Sequence, residues 1–337
     1  MGVCEDRAAA GRGLAIRLRQ RLDEVLVPLI PTGRPCALVG FPLHANVGDS
    51  AIWLAQQTML ARGGARIVYA CDRENYDRSQ LAARLQGGTI FIHGGGSLGD
   101  VWRSGLQFMR RILADFPDHR IVCFPQWIYF RDRGHLRAVR TDVNAHPDLV
   151  ILARDRSSYE LARDGLGARV LLCPDVAFAL GPLPRAGLPR TDVVWLARTD
   201  RESAWPQPAP TPGIVTFDWR REPPFPVAWA ARRALSWFNR RISPPWGRGV
   251  GRGLLYDLIA HSRLSWGRRL LSRGRVVITD RFHGYILSLL QGIPHVLLDT
   301  RFGKIRAFYE TWGEGCDLTR WANSPEEAPV VARSVLA

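Results

Sequence analysis

The sequence predicts an α/β fold in which parallel sheets are covered by helices, divided between two domains. Three observations carry this expectation. Short apolar runs alternate with amphipathic stretches through the first half, which is the pattern of βαβ units and so of a parallel sheet. A Pro- and Gly-rich stretch at residues 180–190 (LGPLPRAGLPR) reads as a linker, and strand-like runs resume after it. The chain has 337 residues, more than one ordinary domain uses and enough for two. The expected domains are residues 1–182 and 183–337.

In the first domain, an apolar run at residues 37–40 leads into a helical pattern over 49–62. Further short strands are expected at 66–70, 89–93, 121–124, 149–153 and 170–173, with amphipathic stretches at 103–116 and 157–165. The second domain opens with strands at 193–197 and 214–217. Residues 220–253 are crowded with Arg, Pro, Trp and Gly and show no clear period; they read as an insertion, partly helical around 227–238. The pattern resumes with a helix over 254–272, a strand at 275–279, a helix at 282–291, a strand at 295–298 and a terminal helix from Pro325. In such sheets ligands bind outside the carboxyl ends of the strands.

Composition narrows the function classes. Hydrophobic residues make up 46% and charged residues 23%, which excludes wholesale disorder. The net charge is +15, and nearly all the cation is Arg, with Lys at position 304 alone. That sign favours acidic partners: phosphorylated substrates, an anionic membrane face or nucleic acid. The six Cys are scattered without a CxxC pair, so a zinc site is not expected and a reducing compartment is. No apolar run reaches the 18 residues of a membrane span, and the N-terminus lacks the apolar core of a signal peptide. A cytoplasmic protein is expected, with its basic face free to touch the inner side of the membrane.

Several constellations carry chemistry. In ITDRFHG, Arg281 and His283 follow a strand and open a helix. A fixed cation beside a titratable imidazole suits an anionic substrate whose reaction also moves a proton. The bland alternative is an Asp280 ion pair with His283 at the helix start. In FIHGGGSLGDVW, Gly94, Gly95, Gly96 and Ser97 lie between a strand and a helix; backbone N–H groups there can converge on an anion with the helix dipole behind them. The motif is neither GxGxxG nor a Walker sequence, and a tight turn is the plain alternative. In FPLHANVGDSAI, Asp49 suits a helix cap, while His44 and Asn46 suit sugar hydroxyls. Arg154 in ILARDRSS follows a strand at the expected cleft edge, where it binds phosphate or forms a surface ion pair. Asp175 in LCPDVAFAL precedes the linker, as a hinge or a ligand contact. Lys304, a compact cation, is placed to return to the cleft that holds His283.

Taken together, Asn46, Gly48 and Asp49, the three glycines, CFPQ (Cys123 to Gln126), ARD (Ala153 to Asp155), PDVAF (Pro174 to Phe178) and Arg281-x-His283 resemble the polysaccharide pyruvyl transferase family, in order from about residue 36 to 310. The resemblance implies two Rossmann-like domains facing a cleft, a glycosyltransferase-B-like architecture. It implies transfer of pyruvate from phosphoenolpyruvate to two hydroxyls of a cell-surface saccharide or its lipid-linked precursor, with no obligatory cofactor or metal. It gives Arg154 and Arg281 the donor's phosphate and carboxylate, and makes His283 the acid that protonates the donor's methylene carbon. Lys304 is implied as a further catalytic cation and the Gly94–Ser97 loop as part of the cleft, with His44, Asn46, Asp49 and Asp175 on the acceptor side. The insertion at 220–253 stands outside the resemblance.

Two other readings fit parts of the chain. A glycosyltransferase of the same architecture would use a nucleotide sugar, but no convincing acidic ribose partner appears near Asp299. A basic module using the Arg- and Trp-rich insertion would bind single-stranded nucleic acid or lipid. For the whole protein, nucleic acid is not the expected partner.

Overall fold

The structure is a computed structural model and describes residues 2–220 and 250–336. The insertion expected at residues 220–253, with its helical stretch, falls almost wholly outside them.

The first sheet contains β1 (Pro35–Phe41), β2 (Arg66–Asp72), β3 (Thr89–Ile92), β4 (Gly95–Gly99), β5 (Ile121–Tyr129), β6 (Leu149–Ala153) and β7 (Val170–Leu172). Its order is β2-β1-β3-β5-β6-β7, with β4 added beside β5, and every pairing is parallel. β6 is buried along its whole length and β5 nearly so, as befits strands covered on both faces. The second sheet contains β8 (Thr191–Leu196), β9 (Ile214–Phe217), β10 (Gly274–Thr279), β11 (His295–Leu297) and β12 (Thr319–Trp321), in the order β12-β11-β10-β8-β9, again all parallel.

The helices are α1 (Gly2–Leu26), α2 (Val47–Arg62), α3 (Arg78–Leu85), α4 (Arg103–Asp115), α5 (Arg133–Ala145), α6 (Arg156–Glu160), α7 (Val250–Ser272), α8 (Phe282–Leu290), α9 (Lys304–Phe308) and α10 (Ala328–Leu336). Sequence reasoning passed over α1, although Leu14, Leu18, Leu22 and Leu26 recur every four residues and are all buried. No helix among the described residues is long and apolar enough to cross a membrane.

The strands separate cleanly where residues 181–190 join the two sheets, but the core does not. One apolar cluster runs from Leu38, Phe91 and Val122 of the first sheet to Val194, Val277 and Leu297 of the second. α1, α2, α7 and α8 fill the space between, contributing Leu22, Ala51, Tyr256 and Leu287. α7 reaches across the seam. Tyr256 donates to Asp72 at 2.6 Å and stacks on Phe41, Asp257 accepts from Trp53, and Arg263 donates to the carbonyls of Pro42 and Leu43.

The expectation that a helix begins directly after the triple glycine is overturned. Gly95–Gly99 is itself a strand, and α4 starts only at Arg103. No helix N-terminus therefore stands behind the glycines. Their role is steric. A Cβ at Gly94 would lie 2.9 Å from the Pro125 carbonyl oxygen, and one at Gly96 would lie 2.6 Å from the Lys304 Nζ.

Candidate active site

A cavity of about 340 Å³ opens between the carboxyl ends of the two sheets. That is the size of a small-ligand site. Each lining segment follows a strand end. Gly40, His44 and Asp49 come after or at the end of β1, His93 and Gly96 after β3, Arg198 to Glu202 after β8, Arg281 to His283 after β10, and Lys304 after β11.

The wall from the second sheet is dense in charge. Arg281 is the N-cap of α8 in extended conformation, and its backbone N–H donates to Thr279 Oγ1 at 3.0 Å. Its Nη2 donates to Asp218 at 2.6 Å and lies 3.5 Å from Asp200, while its Nε has no partner. Arg198 bridges Asp200 at 2.7 Å and Glu202 at 3.1 Å. Lys304 Nζ lies 3.3 Å from Glu202 and 4.8 Å above the Trp127 ring. Arg220 joins Asp200 at 2.9 Å.

These groups perturb one another. Burial pushes the Lys304 ammonium down to about 8, with Glu202 only partly offsetting it. Burial would raise the Glu202 carboxyl, but Lys304 and Arg198 hold it below the usual range. Asp280, buried behind the wall, is pushed up to about 6 by desolvation although Arg198 and Arg281 oppose it.

His283 sits one residue inside α8, at the end where its first N–H groups and the positive pole of its dipole lie. Arg281 and His283 both reach the cavity because the helix start faces it. Only Arg281 is extended; Phe282 is already helical. Gly284 lets α8 sit this close, because a Cβ there would lie 2.5 Å from Thr279 Oγ1. His283 Nε2 lies 3.6 Å from Asp175, and the ring packs against α2 so tightly that a Cβ at Gly48 would come within 2.3 Å of Nδ1.

The wall from the first sheet is smaller and less charged. Asp49 accepts from the Asn46 amide at 2.8 Å and bonds the His44 ring at 2.7 Å. Burial would raise its carboxyl, yet His44 and the nearby His283 and His93 hold it far below the usual range. Asn46, rather than Asp49, is the N-cap of α2, with Oδ1 accepting from Gly48 N–H at 3.1 Å. His93 closes the end of β3, its Nδ1 at 2.9 Å from Gln56 Oε1.

Of the residues singled out from sequence, His44, Asn46, Asp49, Gly94, Gly96, Arg281, His283 and Lys304 line the cavity. Gly95 stands just behind it in β4, and the Ser97 side chain lies outside the described residues. Arg154 and Asp175 do not reach the cavity wall. Placing Arg154 at the cleft edge is corrected here: it is 0% exposed, stacks 3.7 Å from the Phe282 ring centre and donates to Asp175 at 3.2 Å. Its strand end is roofed by α8, so the guanidinium lies beneath the wall. Asp175, also fully buried, thereby touches Arg154 on one side and His283 on the other, and they hold its carboxyl low against the upward push of burial.

Sequence reasoning missed Arg198, Asp200, Glu202, Asp218, Arg220 and His93. A signal existed for the first three. LARTDRES follows β8 as ILARDRSS follows β6, an Arg and an Asp directly at a strand's carboxyl end in each sheet. His93 was read only as the end of its strand.

The chain matches the family described as polysaccharide pyruvyl transferase over residues 46–301. It is 32% identical to Pyruvyl transferase 1 of Schizosaccharomyces pombe, over 84% of this chain and 70% of that protein. It is 27% identical to EpsO of Bacillus subtilis, provisionally described as a pyruvyl transferase, over 90% of this chain and 93% of that one. A functionally uncharacterised Klebsiella pneumoniae protein of known structure shares the fold, with a TM-score of 0.61 at 16% identity, over 91% of this chain and 99% of that one.

Proposed function

The chain belongs to the polysaccharide pyruvyl transferase family and is a transferase, and from that premise we propose that it moves pyruvate from phosphoenolpyruvate onto two hydroxyls of a saccharide, forming a ketal. The observation that carries this reading is the convergence of Arg281, Arg198, Lys304 and His283 on one wall of one cavity. Phosphoenolpyruvate is small and highly anionic, and Arg forks match both its phosphate and its carboxylate. Asp200, Glu202 and Asp218 fix those cations before the donor arrives, so little reorganisation is needed on binding.

His283 protonates the methylene carbon of the donor. The carbon bearing the phosphate becomes electron-poor, a sugar hydroxyl attacks it, phosphate leaves, and the second hydroxyl closes the ring. Asp175 orients the imidazole in the way that a carboxylate orients a catalytic histidine. Arg154 acts one step further back, through Asp175 and the Phe282 ring. The reading keeps a division into residues 1–182 and 183–337, in a glycosyltransferase-B-like arrangement, with the acceptor entering along the first wall. A lipid-linked acceptor would bring this basic chain to an anionic membrane face.

The test is incubation with phosphoenolpyruvate and a panel of p-nitrophenyl hexosides, following phosphate release and product mass. Pyruvylated product supports the reading. No transfer from phosphoenolpyruvate, together with a rise in Tm and transfer from a nucleotide sugar, overturns it.

A further inference from the structure

The geometry points to an anionic acceptor: a saccharide carrying a phosphate or a carboxylate, held through that group by Arg73 of the first wall. The inference rests on the pyruvyl-transfer reading and names the class of saccharide which that reading leaves open.

Among the described residues, five cationic side chains line the cavity: Arg73, Arg198, Arg220, Arg281 and Lys304. The last four belong to the second wall, and each is ion-paired there. Arg198 meets Asp200 and Glu202, Arg220 meets Asp200, Arg281 meets Asp218, and Lys304 meets Glu202. Arg73 differs on both counts. It directly follows β2 of the first sheet, and among the described residues its printed partner is a neutral hydroxyl: Nη1 donates to Ser104 Oγ at 3.1 Å.

The carboxylate next to it in sequence is committed elsewhere. Asp72 is 0% exposed, and its Oδ1 accepts from the N–H groups of Glu74 and Asn75 at 2.8 and 2.9 Å. Its Oδ2 accepts from the Asn75 amide at 2.7 Å and from the Tyr256 hydroxyl at 2.6 Å. These bonds fix the turn that carries Arg73 into the cavity wall, and they leave no oxygen of Asp72 for its guanidinium. An arginine without an ion pair is ordinary on an open surface. Arg73 is instead half-buried in a cavity wall, and its charge is felt inside. Burial pushes the His93 ring down to about 4; Asp49 opposes that shift, while His44 and Arg73 add to it.

The free donors match an oxyanion. One N–H of the guanidinium is spent on Ser104, and the others remain; the Ser104 oxygen accepts that bond and keeps its own hydrogen to give. Both side chains line the cavity. A guanidinium fork beside a hydroxyl donor suits phosphate or carboxylate, because either presents several oxygens that only accept. The donor's own anion is served from the other wall. In the first sheet β2 is the edge strand, and β1 separates it from β3, after which Gly96 meets Lys304. Arg73 is thereby set apart from Lys304 along the cavity, where the end of a sugar remote from its reacting hydroxyls would lie.

The test supplies phosphoenolpyruvate at saturation and compares three forms of each hexose as acceptor: the methyl hexoside, the hexose 1-phosphate and the methyl hexuronoside. In the wild-type protein one charged form should exceed the neutral one in kcat/KM by about 10- to 100-fold, the contribution of a charge-assisted bond. In Arg73→Gln that ratio should fall close to one. Preference for the 1-phosphate makes the anion a phosphate, and preference for the hexuronoside makes it a carboxylate. Equal kcat/KM for charged and neutral acceptors in the wild-type protein overturns the proposal. So does a preference that Arg73→Gln keeps, above all if the KM for phosphoenolpyruvate rises in its place. Should Arg73→Gln not fold, Arg73→Lys keeps the charge without the fork and should lower the ratio several-fold; an undiminished ratio there overturns the proposal equally. A wild-type protein that pyruvylates none of these acceptors from phosphoenolpyruvate instead fails the pyruvyl-transfer reading itself.

Discussion

The two walls of the cavity are built on opposite plans. The wall after β8, β10 and β11 packs Arg198, Arg281 and Lys304 against Asp200, Asp218 and Glu202, with none of these six side chains more than 12% exposed. The wall after β1 and β3 is made of glycines, His93 and the hydrogen-bonded His44–Asn46–Asp49 group. A small trianion needs fixed cations and little space. A sugar needs space and hydrogen-bond acceptors. On the proposed reading the difference gives donor and acceptor separate sheets, with His283 on the donor's wall.

The sharpest way to break that assignment is His283→Ala. Turnover should drop about 10²- to 10⁴-fold while the donor still binds, as read by single-turnover kinetics against calorimetry. Normal turnover would remove the acid from the second wall. Arg281→Lys is next. A lysine cannot reproduce the fork that reaches Asp218 and the donor together, so the KM for phosphoenolpyruvate should rise about 10- to 100-fold, the range expected for one charge-assisted bond. An unchanged donor KM, with a raised acceptor KM, would reverse the two walls.

Gly96→Ala tests the contact between the walls. Its methyl would sit 2.6 Å from the Lys304 Nζ and push it aside, lowering kcat/KM about tenfold. If Lys304 tolerates the methyl, its position is not critical. The pH profile gives a gentler reading of the same residue. The free protein holds Lys304 near 8, below its ordinary value, so the cation is present below that pH and lost above it. The kcat/KM for the donor should therefore fall by up to a decade per unit above about pH 8, and Lys304→Arg should remove that limb. The same depression makes folding release a proton between about 8 and 10.5, so stability gains from this group as pH rises through that window. The smallest effect belongs to the seam. Tyr256→Phe deletes the hydroxyl that bonds Asp72 and should lower Tm by a few degrees with transfer unchanged, as measured by calorimetry.

Much of this was legible in the sequence because parallel sheets announce themselves. Strands such as Leu149–Ala153 and Ile214–Phe217 fall where their apolar runs placed them. Arg281, His283 and Lys304 could be brought to one cavity because each follows a strand end, where α/β proteins bind ligands. Depth was not legible. Nothing local to ARD tells whether Arg154 faces a cleft or lies under α8, because the answer depends on a ring, Phe282, that is 128 positions away. Nor does a Gly run announce that it will pair as β4. Its glycines answer to Pro125 and Lys304, residues distant in sequence, rather than to a turn. The Gln56 partner of His93 belongs to the same class of facts, being set by α2 packing across β3.

The absence of side chains at Gly48 and Gly96 has a practical bearing on recombination. Each of these positions in the front portion of the gene is a socket whose plug, His283 or Lys304, is encoded in the back portion. Chimeras joined at residues 181–190 should therefore succeed or fail less by overall identity than by whether the incoming front half keeps those two sockets open. A donor of the front half with alanine at either place would spoil the graft, and restoring a single glycine should recover it.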